Sequence, residues 1–207
     1  MTIDFQEGAI DFAELAEDPL IELATWYEMA KASDDMLAEA VSLATVSAAG
    51  IPSVRIVLMR GVDERGIEFF TSYESPKAAD IDANPNVSLA FHWKPLYRQV
   101  RIEGTATRVS KEESKAYWDT RPHGSRLAAI GSTQSAAVDT WEEMADLVAG
   151  LEKQFPEGSD VPLPDSWGGY CVKPSRFEFW LSRPSRLHDR FQYNPVNGGW
   201  SITRLQP

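Results

Sequence analysis

From Val41 to Ser72 the chain reads VSLATVSAAGIPSVRIVLMRGVDERGIEFFTS, three β-branched runs broken by AAGIP and DERG. Side chains branched at Cβ fit a pleated strand better than a helix, and the Gly- and Pro-containing breaks supply turns. The segment is therefore expected to form three strands joined by hairpins, which makes the sheet antiparallel from its first elements. NVSLAFHW and YRQVRIEGTATRV return to strand. In the second, Val100, Ile102, Gly104 and Ala106 alternate with Gln99, Arg101, Glu103, Thr105 and Thr107, giving one apolar and one polar face.

Helices are expected around these strands. Asp18 can cap, and Pro19 can open, a helix in which Leu20, Leu23 and Tyr27 share a face. Ser75, Pro76 and the Asn84-Pro85 stop bound a short one. Ser110 with Glu113, and Thr140 with Glu143, have capping-box spacing ahead of helical patterns. HGSRLAAIGSTQSAAV between them reads as weakly helical or loop-like, and PEGSDVPLPDSWGG as an exposed connection. YCVKPSRFEFWLS reads as a strand pair or a bulged strand, and RFQYNPVNGGWSITRL as a hairpin around NPVNGG. The fold class expected is mainly β with flanking helices (α+β), a closed or nearly closed antiparallel barrel with helices outside. Residues 1–207 are expected to form one domain, with 1–18 a flexible N-terminal segment.

Charge narrows the partners. A formal net charge of -11 disfavours a non-specific grip on nucleic acid or an anionic membrane surface, so any phosphate must be caught locally. One cysteine, Cys171, excludes an internal disulfide, and with three His in the chain no metal site is expected. The acidic start lacks the basic residues and apolar run of a secretion signal, which points to a cytoplasmic protein.

Local capture of phosphate has candidates. Basic and hydroxyl residues gather as Arg55 with Arg60, Thr71 with Ser75 and Lys77, Arg98 to Arg101, and Arg121 with Ser125 and Arg126. A fifth group, Arg183, Arg186, His188 and Arg190, crowds into eight positions, where mutual repulsion must be offset by something anionic or by solvent. Guanidinium forks match phosphate oxygens, and hydroxyls fill the remaining acceptor sites. Each cluster taken alone also fits a solvated face with surface ion pairs. SAAG, WGG and NGG read as turn glycines, since no G-x-G-x-x-G joins a strand to a helix. His92 reads as a packed or edge residue, His123 as a solvated turn residue and Cys171 as strand filler.

Five stretches, SVRIVLMRG, FFTSYESPKA, RQVRIEG, YWDTRPHGSRLAAIGSTQS and EFWLSRPSRLHDR, in this order and spacing, resemble the pyridoxine/pyridoxamine 5'-phosphate oxidase family from about residue 40 onward. The resemblance implies an FMN-binding split barrel of Greek-key topology that works as a homodimer, with FMN at the subunit interface. It implies oxidation of pyridoxamine or pyridoxine 5'-phosphate to pyridoxal 5'-phosphate, with O2 as acceptor and H2O2 as product. Carried over, FMN falls to Arg55, Ile56, Val57, Leu58, Phe70, Thr71, Lys77, Gln99, Gln134, Ser135, Trp180 and Arg190. The substrate phosphate falls to Arg60, Tyr117, Arg121 and Ser125. Arg186 and His188 cover the substrate ring and assist proton movement.

This chain departs from the family pattern where Pro76 precedes Lys77 in place of a usual Arg, where Arg60 stands for a usual Lys, and at Thr133 in place of a frequent basic residue. Two other readings remain at this stage: an oxidase of the same fold acting on another ring, of the phenazine-biosynthesis type, and a non-catalytic module that binds FMN or pyridoxal phosphate.

Overall fold

The fold is that of a computed structural model, which describes residue 10 and residues 12–207. Of the segment expected to be flexible, residues 1–9 and 11 lie outside the described residues; Phe12–Glu14 form a 3-10 turn and Leu15 is buried. Nine strands follow in one sheet: β1 (Ala40–Val46), β2 (Pro52–Leu58), β3 (Gly61–Asp63), β4 (Gly66–Ser72), β5 (Asn86–Trp93), β6 (Arg98–Arg108), β7 (Trp167–Leu181), β8 (Asp189–Val196) and β9 (Gly199–Arg204). The helices are α1 (Pro19–Lys31), α2 (Pro76–Ala83), α3 (Lys111–Thr120), α4 (His123–Gly131) and α5 (Trp141–Gln154).

The strand order β2-β1-β5-β6-β7-β4-β3 puts β2 and β3 at opposite ends of the path. Yet only Met59 and Arg60 separate them in sequence, so the sheet has to curl until its ends meet. At that seam the Met59 N–H bonds Glu39 on one side and the Arg60 N–H bonds Glu68 on the other, while β2 lies against β4 without pairing to it. This is a split barrel. The single strand expected to run through SVRIVLMRGV is accordingly two, broken where the chain crosses the seam.

β7 pairs with β6 along its length, with β4 through Trp167–Val172, and with β8 through Phe177–Leu181. Pro174 falls in the gap between those two partners, where no neighbour needs its missing N–H. Opposite it the register shifts at Glu103/Gly104, and a Cβ on Gly104 would lie 2.4 Å from the Lys173 carbonyl oxygen. YCVKPSRFEFWLS is thus one bulged strand.

Inside the curl lie Leu43, Leu89, Phe91, Trp93, Ile102, Phe177 and Phe179, with Leu23, Trp26 and Ala30 of α1 closing one end. Trp93 Nε1 donates to the Ala38 carbonyl at 2.8 Å, so its burial leaves no orphan donor. A second cluster, Trp118, Leu127, Val161 and Trp167, seats α3 and α4 against the start of β7. Ser110 and Glu113 form the reciprocal capping box at α3, whereas Ser75 Oγ donates to the Ser72 carbonyl instead of capping α2. HGSRLAAIG, read as weakly helical or loop-like, forms α4. No helix among the described residues is long and apolar enough to cross a membrane.

Candidate functional site

Beside the seam, α2, α3 and α4 border a cleft of 1260 Å³. One wall is β2 from Ser53 to Leu58, continued by Arg60 and by Phe70–Ser72 of β4. Opposite, α4 presents Ser125, Ala128 and Ala129, with Ser132 just past its end, small residues that leave the space open. Pro76 and Lys77 of α2, Tyr117 and Arg121 around the end of α3, and Gln134–Ser135 complete it. Thirteen of the expected site residues therefore meet here: Arg55, Ile56, Val57, Leu58, Arg60, Phe70, Thr71, Lys77, Tyr117, Arg121, Ser125, Gln134 and Ser135.

At one end Lys77 is buried, and its Nζ donates to Thr71 Oγ1 at 3.1 Å and Gln134 Oε1 at 2.7 Å. Burial holds this ammonium below its ordinary value, and Arg55 adds repulsion. Arg55 Nη1 donates to Thr45 Oγ1 at 2.7 Å and to the Leu43 and Ser53 carbonyls at 3.2 Å, while Nη2 lies 3.8 Å from Asp80. Thr45 Oγ1 donates to the same Asp80 carboxylate at 2.6 Å, so the Arg55 head is held from two sides.

At the other end Arg121 lies over the rings of Trp167, at 4.7 Å, and Trp118, at 5.2 Å. Its Nη1, and Arg126 Nε beside it, are buried without a hydrogen-bond partner among the described residues. Burial lowers the Arg121 pKa; Tyr117 opposes that, while Arg60 and Arg126 reinforce it. Guanidinium nitrogens left dry and unbonded are costly, and an anion is the partner that removes the cost. Arg60 sits 5.9 Å over the Tyr117 ring, which stacks on Phe70 at 4.1 Å, and Phe70 stacks on Trp167 at 5.6 Å. The glycines of WGG, read as turn residues, lie inside β7: a Cβ on Gly169 would come within 2.7 Å of Phe70 and crowd this stack, and one on Gly168 would come within 2.2 Å of the Tyr73 hydroxyl.

The other five expected residues, Gln99, Trp180, Arg186, His188 and Arg190, are not on the cleft wall. Gln99, Trp180 and Arg190 are direct cross-strand partners in one row over β6, β7 and β8. Arg190 is gripped by Glu178, with Nε and Nη2 each 2.8 Å from Oε1. Asp189 takes Arg204 at 2.8 Å and lies 3.5 Å from Arg183 Nε. Between β7 and β8, Ser185 and Arg186 both have positive φ, 57° and 61°, a conformation disfavoured for residues with a side chain. The His188 ring packs on Trp180 at 4.6 Å, and its Nδ1 accepts the Arg183 backbone N–H at 3.1 Å. With Nδ1 an acceptor, the neutral ring carries its proton on Nε2.

Sequence reading passed over Asp80, Trp167 and Glu178. Each acts across strands or between elements far apart in the chain, and no local pattern marks that. The two histidines set aside stay apart from this site: His92 is exposed on β5, and His123 Nε2 lies 2.9 Å from the Phe155 carbonyl oxygen. Cys171 is buried, its thiol pushed up to about 11 by desolvation.

The curled sheet defines a split-barrel protein with a cleft that carries cations at two ends. Residues 29–149 match the family model described as pyridoxamine 5'-phosphate oxidase, and residues 167–207 the one described as pyridoxine 5'-phosphate oxidase C-terminal dimerisation region. The chain is 47% identical over 206 residues to the pyridoxine/pyridoxamine 5'-phosphate oxidase of Bordetella pertussis, covering 98% of this chain and 96% of that one. It is 48% identical over 190 residues to the protein of that name from Rubrobacter xylanophilus, covering 92% and 87%. PhzG from Burkholderia lata, solved in complex with tetrahydrophenazine-1-carboxylic acid, superposes with a TM-score of 0.91 at 26% identity over 97% of this chain and 98% of that one. The chain belongs to the pyridoxamine 5'-phosphate oxidase family.

Proposed function

We propose that this chain is an FMN-dependent oxidase that converts pyridoxamine 5'-phosphate and pyridoxine 5'-phosphate to pyridoxal 5'-phosphate, working as a homodimer. The observation that carries the proposal is one cleft with cations at two ends, Lys77 beside Arg55 at one and, at the other, Arg121 with a buried nitrogen that has no hydrogen-bond partner among the described residues. Two separate phosphates, one on the cofactor and one on the substrate, match that arrangement. When bound, FMN supplies the acceptor for a hydride from the substrate C4' and is reoxidised by O2 with release of H2O2.

Lys77, Thr71 and Arg55 hold the FMN phosphate in this reading, with Gln134 and Ser135 closing that end. Arg121, Ser125, Tyr117 and Arg60 hold the substrate phosphate. Trp180, Arg186 and His188 fall within the matched dimerisation region, as does Arg190, and Gln99 stands beside Trp180 in register. That supports a site in which this second set faces the partner's cleft. There His188 donates from Nε2 toward the substrate and Trp180 packs behind it. The strained Ser185–Arg186 turn presents the exposed Arg186 side chain.

The test is anaerobic. Purified protein loaded with FMN is expected to lose its flavin absorption when pyridoxamine 5'-phosphate is added, and to release pyridoxal 5'-phosphate and peroxide when air is admitted. Flavin that stays oxidised overturns the proposal. The likeness to PhzG favours a second reading, an oxidase of another ring. Under that reading an unphosphorylated substrate reduces the flavin as fast as a phosphorylated one; the unpartnered Arg121 Nη1 beside the cleft speaks for the phosphate.

A further inference from the structure

Glu178 is a carboxylate on the polar face of the sheet, yet its side chain is only 10% exposed. It stands two residues from Trp180 on β7, one step along the same face from the row Gln99, Trp180 and Arg190. Its Oε1 takes both Nε and Nη2 of Arg190, and its Oε2 takes Arg101 Nη1 at 3.2 Å. The Gln206 carbonyl takes Arg190 Nη1 at 2.9 Å. A guanidinium has five N–H donors. Those three contacts fix the plane of the Arg190 head and leave about two donors for a ligand.

We propose that Glu178 is a positioning residue for the cofactor: by gripping Arg190 side-on, it holds the remaining guanidinium donors where FMN is received. This rests on the proposed function, in which Arg190 contacts FMN. An arginine side chain left unpaired samples many rotamers, and ordering it costs free energy at every binding event; a buried carboxylate meets that cost during folding. Arg101, which shares the carboxylate but is half exposed and outside the row, is a spectator.

The test is a double-mutant cycle on FMN affinity, read from the quenching of flavin fluorescence when FMN is added to cofactor-free protein. Glu178→Gln is expected to weaken FMN binding about tenfold and Arg190→Met about thirtyfold. The double variant is expected to match Arg190→Met within about twofold, because Glu178 has nothing left to position. Arg101→Gln stays within about threefold of wild type. A merely structural ion pair would shift the melting temperature of the cofactor-free protein and leave FMN affinity alone. Glu178→Asp, which keeps the charge but shortens the reach, serves if Glu178→Gln does not fold, and is expected to weaken FMN at least threefold.

Wild-type affinity in whichever Glu178 variant folds, or additive effects in the cycle, overturns the inference. In either case the proposed function stands so long as the wild type binds FMN and turns over. A wild type that binds no FMN overturns both.

Discussion

The cleft beside the seam and the face over β6, β7 and β8 use the same residue types and neutralise them to different extents. In the cleft, Lys77 meets only the neutral oxygens of Thr71 and Gln134, and Arg121 keeps a buried nitrogen with no partner among the described residues, while Arg55 lies 3.8 Å from Asp80 and Arg60 3.9 Å from Glu39. On the sheet face, Arg190 and Arg101 share Glu178, and Arg183 and Arg204 share Asp189. Of the cations crowded at residues 183–190, Arg183 and Arg190 are thus offset within the chain itself. The cleft leaves Lys77 and Arg121 without a carboxylate among the described residues and suits capture of a charged molecule; the face pairs Arg190 and Arg204 and suits holding groups in place.

The comparison can be broken by mutation on either side. The largest effect is expected from Arg186→Ala combined with His188→Ala, which should lower turnover at saturating substrate by about a thousandfold while FMN stays bound, measured by steady-state peroxide release. Unchanged turnover would remove both residues from the reaction. Arg121→Met should lower kcat/KM for pyridoxamine 5'-phosphate about a hundredfold, mainly through KM, because it deletes an anchor for the phosphate and not for the reacting carbon.

Lys77→Met should weaken FMN about thirtyfold and also change the pH profile. Burial lowers the Lys77 pKa in the free protein, and a bound phosphate raises it again. FMN affinity should therefore be full below the lowered value and fall as pH rises through the ordinary lysine range, with proton uptake on binding in between; titration calorimetry in two buffers reads this directly. The variant should lose that dependence. Smallest is Asp189→Asn, on the self-neutralised face, which should cost about 1 kcal/mol of stability in chemical denaturation, since Arg204 is half exposed and solvent screens the pair.

What could be read from sequence was whatever is written locally. The alternation through Val100–Thr107 sets which face of β6 is buried, and the Ser110/Glu113 box sets where α3 begins. The break at Met59–Arg60 carries no composition cue, because it exists only where the curled sheet must be crossed. Pro174 left a strand pair and a bulged strand both open, and the bulged strand is what forms, because β4 and β8 are both absent at that position. The site residues came from a likeness of motifs. Residue types alone placed cations in five clusters without saying which are already neutralised, and that depends on Glu178, Asp189 and Asp80 arriving from other elements.

β7 is the strand that β4, β6 and β8 all need, and it is separated from β6 by α3, α4 and α5. During synthesis, β4 and β6 are therefore made long before the strand that joins them. At about 5–20 residues per second, the gap of some sixty residues leaves two sheet edges open for roughly 3–12 s. The nascent protein passes through a stage in which pairing with a neighbouring chain is geometrically available and pairing with itself is not. Slow translation between α3 and β7, or crowding of ribosomes on one message, should therefore show up as aggregation even in a sequence whose finished fold is stable.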